Sequence, residues 1–211
     1  MKSFIEFINE DRPYGDKLFD KWVAGKENRS DYEIDTKREE EVLHSLVNYI
    51  EYNGDIDKKY IQDLRAMQKD PKFKEWTKPD AKVVYRGRRV LRNLLTKLNF
   101  KEIKSGEFKG YYEADDNYSA HKYISSWTKS PKIARDFSGQ PRNNQASVIL
   151  SSKVNSDFIF STKLTSALSD EFDYEEEIIH ITGKPLKVKV IITPEEYERL
   201  MSMKNQKEGN K

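Results

Sequence analysis

Glu175, Glu176 and Glu177 stand together in Phe-Asp-Tyr-Glu-Glu-Glu-Ile-Ile, residues 172–179, and the β-branched residues that follow make the triplet the opening of a strand. Alternate side chains of a strand share a face, so Glu175 and Glu177 point the same way with carboxylates about 7 Å apart, and Glu176 points to the other face. Two carboxylates on one rigid wall suit a transfer reaction in which positive charge develops on the group being moved. A solvated acidic strand end has the same spacing, so the triplet is weighed with two other groups of residues. These are Tyr85-Arg86-Gly87 at a strand end, and Ser125-Ser126-Trp127-Thr128 ahead of a helix that carries Ala134 and Phe137.

Holding such groups in place takes a core, and 211 residues suffice for one substantial domain, or one domain and a small helical lobe. The 38 basic and 36 acidic side chains nearly cancel, leaving +2, so there is no global signature of a polyanion binder. The chain has no cysteine and three histidines, His44, His121 and His180. A thiolate nucleophile, a disulfide frame and a cysteine-ligated zinc are excluded, and the histidine spacing suggests no metal site. No run approaches the ~20 apolar residues of a membrane span, and the first ten residues lack a signal peptide's long apolar region, so the expected setting is soluble and cytosolic.

Periodicity predicts an α+β chain with its helices first. Val42, Leu43, Leu46, Val47 and Ile50 share one helical face over 37–52, and Ile56, Tyr60, Ile61, Leu64 and Met67 share another over 56–68. Asn53-Gly54-Asp55 breaks them into a helical hairpin. After Pro71 and Pro79, residues 82–86 read as a strand, and Val90, Leu91, Leu94, Leu95 and Leu98 mark a helix behind it. Further strands are expected at 121–127, 146–152, 157–161, 175–182 and 186–192. Ser130 as N-cap, Pro131 at the first helical position and Gly139 at the end punctuate a short helix. Thr193, Pro194 and Glu196 form a capping pattern for a last helix, followed from Lys204 by a polar, flexible tail.

The three groups, in this order and joined by Ala134 and Phe137, resemble the Arg-Ser-Glu class of mono-ADP-ribosyltransferases over about residues 80–192. The resemblance implies a split, mostly antiparallel sheet that binds NAD as co-substrate, without a metal. It makes Arg86 the anchor for the NAD pyrophosphate or adjoining ribose, where a guanidinium gives paired charge-assisted bonds that lysine copies poorly. Gly87, without a Cβ, lets the nicotinamide carboxamide approach the backbone. Ser126 matches the first serine of the family's Ser-Thr-Ser motif and buttresses the catalytic glutamate, and Thr128 fills the third position. Trp127 departs from the pattern in the middle. Phe137 and Arg142, the latter in the polar Gln-Pro-Arg-Asn-Asn-Gln loop, fall where the family handles nicotinamide and phosphate.

By the same resemblance Glu177 is catalytic, accepting a hydrogen bond from the 2′-hydroxyl of the nicotinamide ribose as the glycosidic bond breaks. Glu175 takes the place that in the family separates arginine modifiers from others, and suits drawing a proton from an otherwise protonated guanidinium. Phe172 and Tyr174 resemble the aromatic of the substrate-recognition turn.

The first ten residues, Met-Lys-Ser-Phe-Ile-Glu-Phe-Ile-Asn-Glu, are similar to capsid-targeting peptides of T-even phage internal proteins, cut after a triplet such as Ile8-Asn9-Glu10. T-even phages also carry arginine-specific ADP-ribosyltransferases of the Alt and Mod type. The resemblance implies a virion-packaged enzyme acting in the host cytoplasm on bacterial proteins, with transcription and translation proteins as candidate substrates. The chain then divides into a targeting peptide at 1–10, an N-terminal helical region at 11–78, a catalytic core at 79–203 and a tail at 204–211. Two other readings stay open. An NAD glycohydrolase would use water as acceptor, and a nucleic-acid-binding protein would use residues 82–104, which hold eight Lys or Arg against Glu102 alone.

Overall fold

Leu186-Lys-Val-Lys-Val-Ile-Ile alternates apolar and basic residues at the strand period, and it folds as that pattern requires, with Leu186, Val188 and Val190 buried and Lys187 and Lys189 exposed. A computed structural model of the chain describes residues 41–42, 45–46, 49, 56, 58–69, 71, 78, 81–119, 124–141, 143–158, 177–181 and 185–208. The elements are α1 (Lys58–Lys69), β1 (Val83–Leu91), α2 (Arg92–Leu95), β2 (Lys101–Glu102), β3 (Tyr112–Tyr118), β4 (Ile124–Thr128), α3 (Pro131–Ser138), β5 (Gln145–Lys153), β6 (Glu177–Ile181), β7 (Leu186–Ile192) and α4 (Pro194–Glu208). The strands form one open seven-stranded sheet in the order β2-β3-β7-β5-β1-β4-β6, and each described pair is antiparallel. The chain is α+β.

The two faces of the sheet bury different clusters. Val84, Trp127, Val148, Leu150, Ile178, Val188, Val190 and Leu200 make the main core, which α4 covers through Leu200, Tyr197 and Met201. Trp127, 2% exposed, sits in its middle, edge-on to Tyr118 and Phe158. Ala134 of α3 joins Phe108, Ile149 and Ile191 in a smaller cluster. In the N-terminal part, Glu41, Val42, Ser45, Leu46 and Tyr49 are helical, and Val42, Leu46 and Tyr49 are buried at helical spacing. α1 rests on the segment after β5, where Arg65 binds Asp157 at 3.2 Å and Gln68 donates to the carbonyls of Ser156 and Phe158.

Several expected bounds move, each for a tertiary reason. The helix expected from Val90 to Leu98 shrinks to Arg92–Leu95, because Val90 and Leu91 still pair with Ala146 and Gln145 at the end of the β1–β5 ladder. β3 was not expected, since Glu113, Asp115, Asp116 and Asn117 are poor strand formers. The strand forms because β7 offers complementary charges, Lys189 opposite Asp115 and bonded to Glu113. Tyr112 of β3 also stacks on Tyr197 with centroids 3.8 Å apart. The tail expected to be flexible from Lys204 remains helical to Glu208, with Lys204 Nζ donating to Leu98 O at 3.4 Å. Of the strand expected at 157–161, Phe158 makes a single bridge to His180, and 159–161 lie outside the described residues.

Candidate active site

The fold brings the three sequence groups onto neighbouring strands. β4, with Ser126 and Thr128, lies between β1, with Arg86, and β6, which Glu177 opens. Tyr85 is the register partner of Thr128, and Thr128 that of Glu177. The backbone positions of Tyr85, Thr128 and Glu177 therefore form one row across three strands, about 10 Å end to end at two strand spacings. Ser126, two residues before Thr128, belongs to the same face of β4 as Thr128.

β1 and β4 part just beyond that row. β1 pairs with β5 at nine positions, from Val83 to Leu91, but among the described residues meets β4 at Tyr85 and Thr128 alone. The sheet forks there, and Arg86 spans the fork, its Nη1 donating to the main-chain carbonyl of Ser126. Arg86 Nε is buried with no partner among the described residues. The anchor expected for a pyrophosphate therefore first ties β4 to β1, and its remaining guanidinium donors are what it has for a ligand. Ser126 Oγ donates to the hydroxyl of Tyr49, 2.9 Å away and 8% exposed, so the N-terminal region reaches this edge of the site. Trp127 faces the core, its Nε1 donating to Ser125 Oγ at 3.0 Å.

Two residues expected at the co-substrate have other tasks. Thr128 is 4% exposed, and its hydroxyl accepts from the Ser130 N–H at 3.1 Å, shaping the turn into α3. Burial leaves it little surface for a ligand. The approach that Gly87 permits is that of α3, since a Cβ there would lie 1.9 Å from Ala134 O and 2.4 Å from Ser138 N. α3 starts as the sequence predicts, with Ser130 Oγ accepting from Ile133 N at 3.3 Å. It ends at Gly139, whose φ of +60° suits glycine. Phe137 is 56% exposed on the outer side of this helix, a ring open to stacking.

The arginines of β1 and α2 each make a bond within the protein. Arg88 donates to Tyr118 at 3.0 Å, Arg89 to the Gln140 carbonyl at 3.1 Å, and Arg92 is buried against Glu196. Each of these, like Arg86, is engaged with the protein's own acceptors.

His180, 2% exposed beneath Trp127 and Phe158, is held neutral, its pKa pushed down to about 4 by burial. The Asp157 carboxylate opposes that shift, and the Arg65 and Arg86 cations add to it. Because the folded pKa lies below the unfolded 6.5, the unfolded chain binds the proton first as pH falls. The stabilisation is complete above about pH 6.5 and is lost between there and about pH 4, at most ~3 kcal/mol. Urea unfolding at pH 7 and pH 4.5 should show this acid loss in the wild type and a smaller one in His180→Phe. Parallel pH dependence in the two proteins would remove His180 as its source. A cavity of about 540 Å³ where β5 and β7 separate is lined by Ser152, Val154, His180 and Leu186. Neither Arg86 nor Ser126 lines it.

Glu175, Arg142, Phe172 and Tyr174 lie outside the described residues, and Glu177 is placed by its backbone register. Among the described residues no cluster of His, Asp and Glu is arranged to hold a metal, and no helix is long and apolar enough to cross a membrane. Sequence reasoning missed Tyr49, Arg92 and Glu196. Tyr49 carried a usable signal, a polar-tipped aromatic on the apolar face of Val42 and Leu46. Arg92 and Glu196, 104 residues apart, had none. No family model, no curated protein and no solved structure matches the chain.

Proposed function

We propose that this chain is an NAD-dependent protein-arginine ADP-ribosyltransferase whose split, mostly antiparallel sheet is the NAD-binding core. The observation that supports the reading is the adjacency of β1, β4 and β6, the strands that carry Arg86, Ser126 and Glu177, although these residues are scattered over more than ninety residues of sequence. Chance motifs need not fall on adjacent strands, and here Arg86 also reaches the Ser126 carbonyl. The residues at the fork fit NAD: the half-buried Arg86 guanidinium, with Nη donors beyond the one spent on the Ser126 carbonyl, meets the charge of a pyrophosphate or the hydroxyls of a ribose. Exposed Phe137 supplies a stacking face.

In this reading Arg86 orients the dinucleotide while holding the Ser126 main chain, and Ser126 steadies the glutamate by turning its hydroxyl proton from Tyr49, whose own hydroxyl can donate in its place. Gly87 contributes by letting α3, which carries Phe137, lie against β1, and Arg142 neutralises a phosphate. The Glu177 carboxylate takes a hydrogen bond from the ribose 2′-hydroxyl and stabilises the positive charge that grows on the sugar as nicotinamide leaves. Glu175 draws the proton from the incoming arginine side chain, which Phe172 and Tyr174 pack against, and the guanidinium nitrogen bonds to the anomeric carbon. Host proteins are the acceptors, and the leading ten residues address the enzyme to the virion.

Labelled NAD added to a bacterial lysate tests this. Protein bands that lose label in hydroxylamine are the expected result, and nicotinamide release without labelled protein would replace transfer by hydrolysis. Glu175→Gln should cut arginine labelling about a hundredfold and leave nicotinamide release within about threefold of wild type. Equal loss of both would remove the acceptor-activating role. Nucleic-acid binding is the weaker reading, because Arg92, inside the basic segment, is buried in an ion pair with Glu196 and adds nothing to a basic surface.

A further inference from the structure

Between α3 and β5 the carbonyls of Gln140, Asn143 and Asn144 accept from two arginines of the β1–α2 segment. Arg89 Nε donates to Gln140 O at 3.1 Å, and the Arg92 main-chain N–H donates to Asn144 O at 2.9 Å. Arg92 Nη1 donates to Asn143 O. The same guanidinium grips both carboxylate oxygens of Glu196 in the first turn of α4, through Nε to Oε1 and through Nη2 to Oε2 at 3.1 Å. Arg92 and Glu196 are 9% and 4% exposed. One buried side chain thus joins the end of β1, the loop and α4.

The chemistry of this junction points to the loop. A buried ion pair is a poor device for stability alone, because well-packed apolar side chains of similar volume often serve as well or better. What an apolar pair cannot do is donate to the Asn143 carbonyl. Asn143 has φ +25°, a backbone conformation that L-residues rarely adopt and that persists where the surroundings over-determine it. The two Arg92 bonds hold the carbonyl of Asn143 itself and that of the residue after it, Asn144.

We infer that Arg92 is a positioning residue, which holds the 140–144 loop in one conformation beside Phe137 and so sets how well NAD binds. The NAD part rests on the function proposed above, and the loop part stands by itself. Arg92 touches no substrate in this scheme and acts through the loop's main chain.

The test uses the full chain. Arg92→Met combined with Glu196→Met removes the donors without stranding a buried charge, Arg92→Lys keeps the charge but not the forked geometry, and Glu196→Gln keeps the Arg92 donors. Trypsin is added well below each protein's melting temperature, and cleavage of the Arg142–Asn143 bond is followed as the fragment beginning at Asn143. Cleavage should accelerate about tenfold or more in the double variant and in Arg92→Lys, and stay within about threefold of wild type in Glu196→Gln. The apparent KM for NAD should rise about tenfold in Arg92→Lys with kcat within about threefold, a split that general destabilisation would not give. Unchanged cleavage in Arg92→Lys would overturn the proposal even if the double variant fails to fold. Faster cleavage with unchanged KM would overturn the NAD part and leave the proposed function standing. A wild type that does not turn over NAD would sink the proposed function and the NAD part together, while the cleavage ratio still decides whether Arg92 holds the loop.

Discussion

Glu177→Gln is expected to lower NAD-dependent labelling of protein about a thousandfold while leaving the melting temperature and the circular dichroism spectrum unchanged. Glutamine keeps the size and an acceptor oxygen of the side chain but removes the negative charge. In the proposed reaction that charge matters most when the ribose becomes cationic, so its loss raises the barrier more than it weakens NAD binding. Removing one electrostatic stabiliser of this kind costs about 10²–10³ in rate, or ~3–4 kcal/mol. Glu177 stands at the end of β6 opposite Thr128, and the ladder that places it runs through backbone groups a glutamine leaves intact. The measurement is initial-rate labelling over a range of NAD concentrations. A fall in kcat with little change in KM is the expected form, and equal turnover by the two proteins would end the assignment.

Gly87→Ala is expected to be the most destabilising single-methyl change in the core domain. The added Cβ would meet Ala134 O at 1.9 Å, Ser138 N at 2.4 Å and the Phe137 carbonyl carbon at 2.9 Å. These are main-chain atoms of a helix, so no rotamer change relieves the clash and α3 must move as a body. It is not free to do so cheaply. Ser130 caps its start, and Ser147 Oγ donates to Ser138 O at 3.3 Å and to Gly139 O at its end. Overpacking of this kind costs about 3 kcal/mol, enough to lower the melting temperature of a chain this long by about 6–12 °C. Thermal melts check the packing role separately from any contact with NAD. An alanine variant that melts like the wild type would mean that α3 does not lie against β1. A lower melting temperature accompanied by a raised KM for NAD would show that α3 also carries Phe137 and the following loop into position.

Much of the fold was legible because local signals agreed with one another. The Ser130, Pro131 and Gly139 punctuation identified α3, and the alternation from Leu186 to Val190, continued by the β-branched Ile191 and Ile192, identified β7. β3 was illegible, because its residues resist a strand until β7 supplies lysines opposite them. The helix expected from Val90 was overruled for the same kind of reason, the β5 ladder claiming backbone groups that local propensity assigned to a helix. Propensity is a contest among weak local preferences of a few tenths of a kcal/mol, and a cross-strand ladder outweighs it.

The sequence by itself determined the residue types and spacings on which the proposed chemistry rests: a carboxylate at the start of a strand, an arginine before a glycine, a serine strand ahead of a capped helix. It also determined that no thiol takes part, since there is no cysteine. Tertiary structure decided what each residue touches. It put Arg86 on the Ser126 carbonyl, gave the space beside Gly87 to α3, drew Thr128 into a turn and brought Tyr49 to Ser126. It also paired Arg92 with Glu196 across 104 residues. The division has a physical cause. Residue type and short-range spacing set the acid–base character and the period of each element, whereas the partner of a side chain depends on strand order and register, which follow from how the whole chain buries its apolar faces.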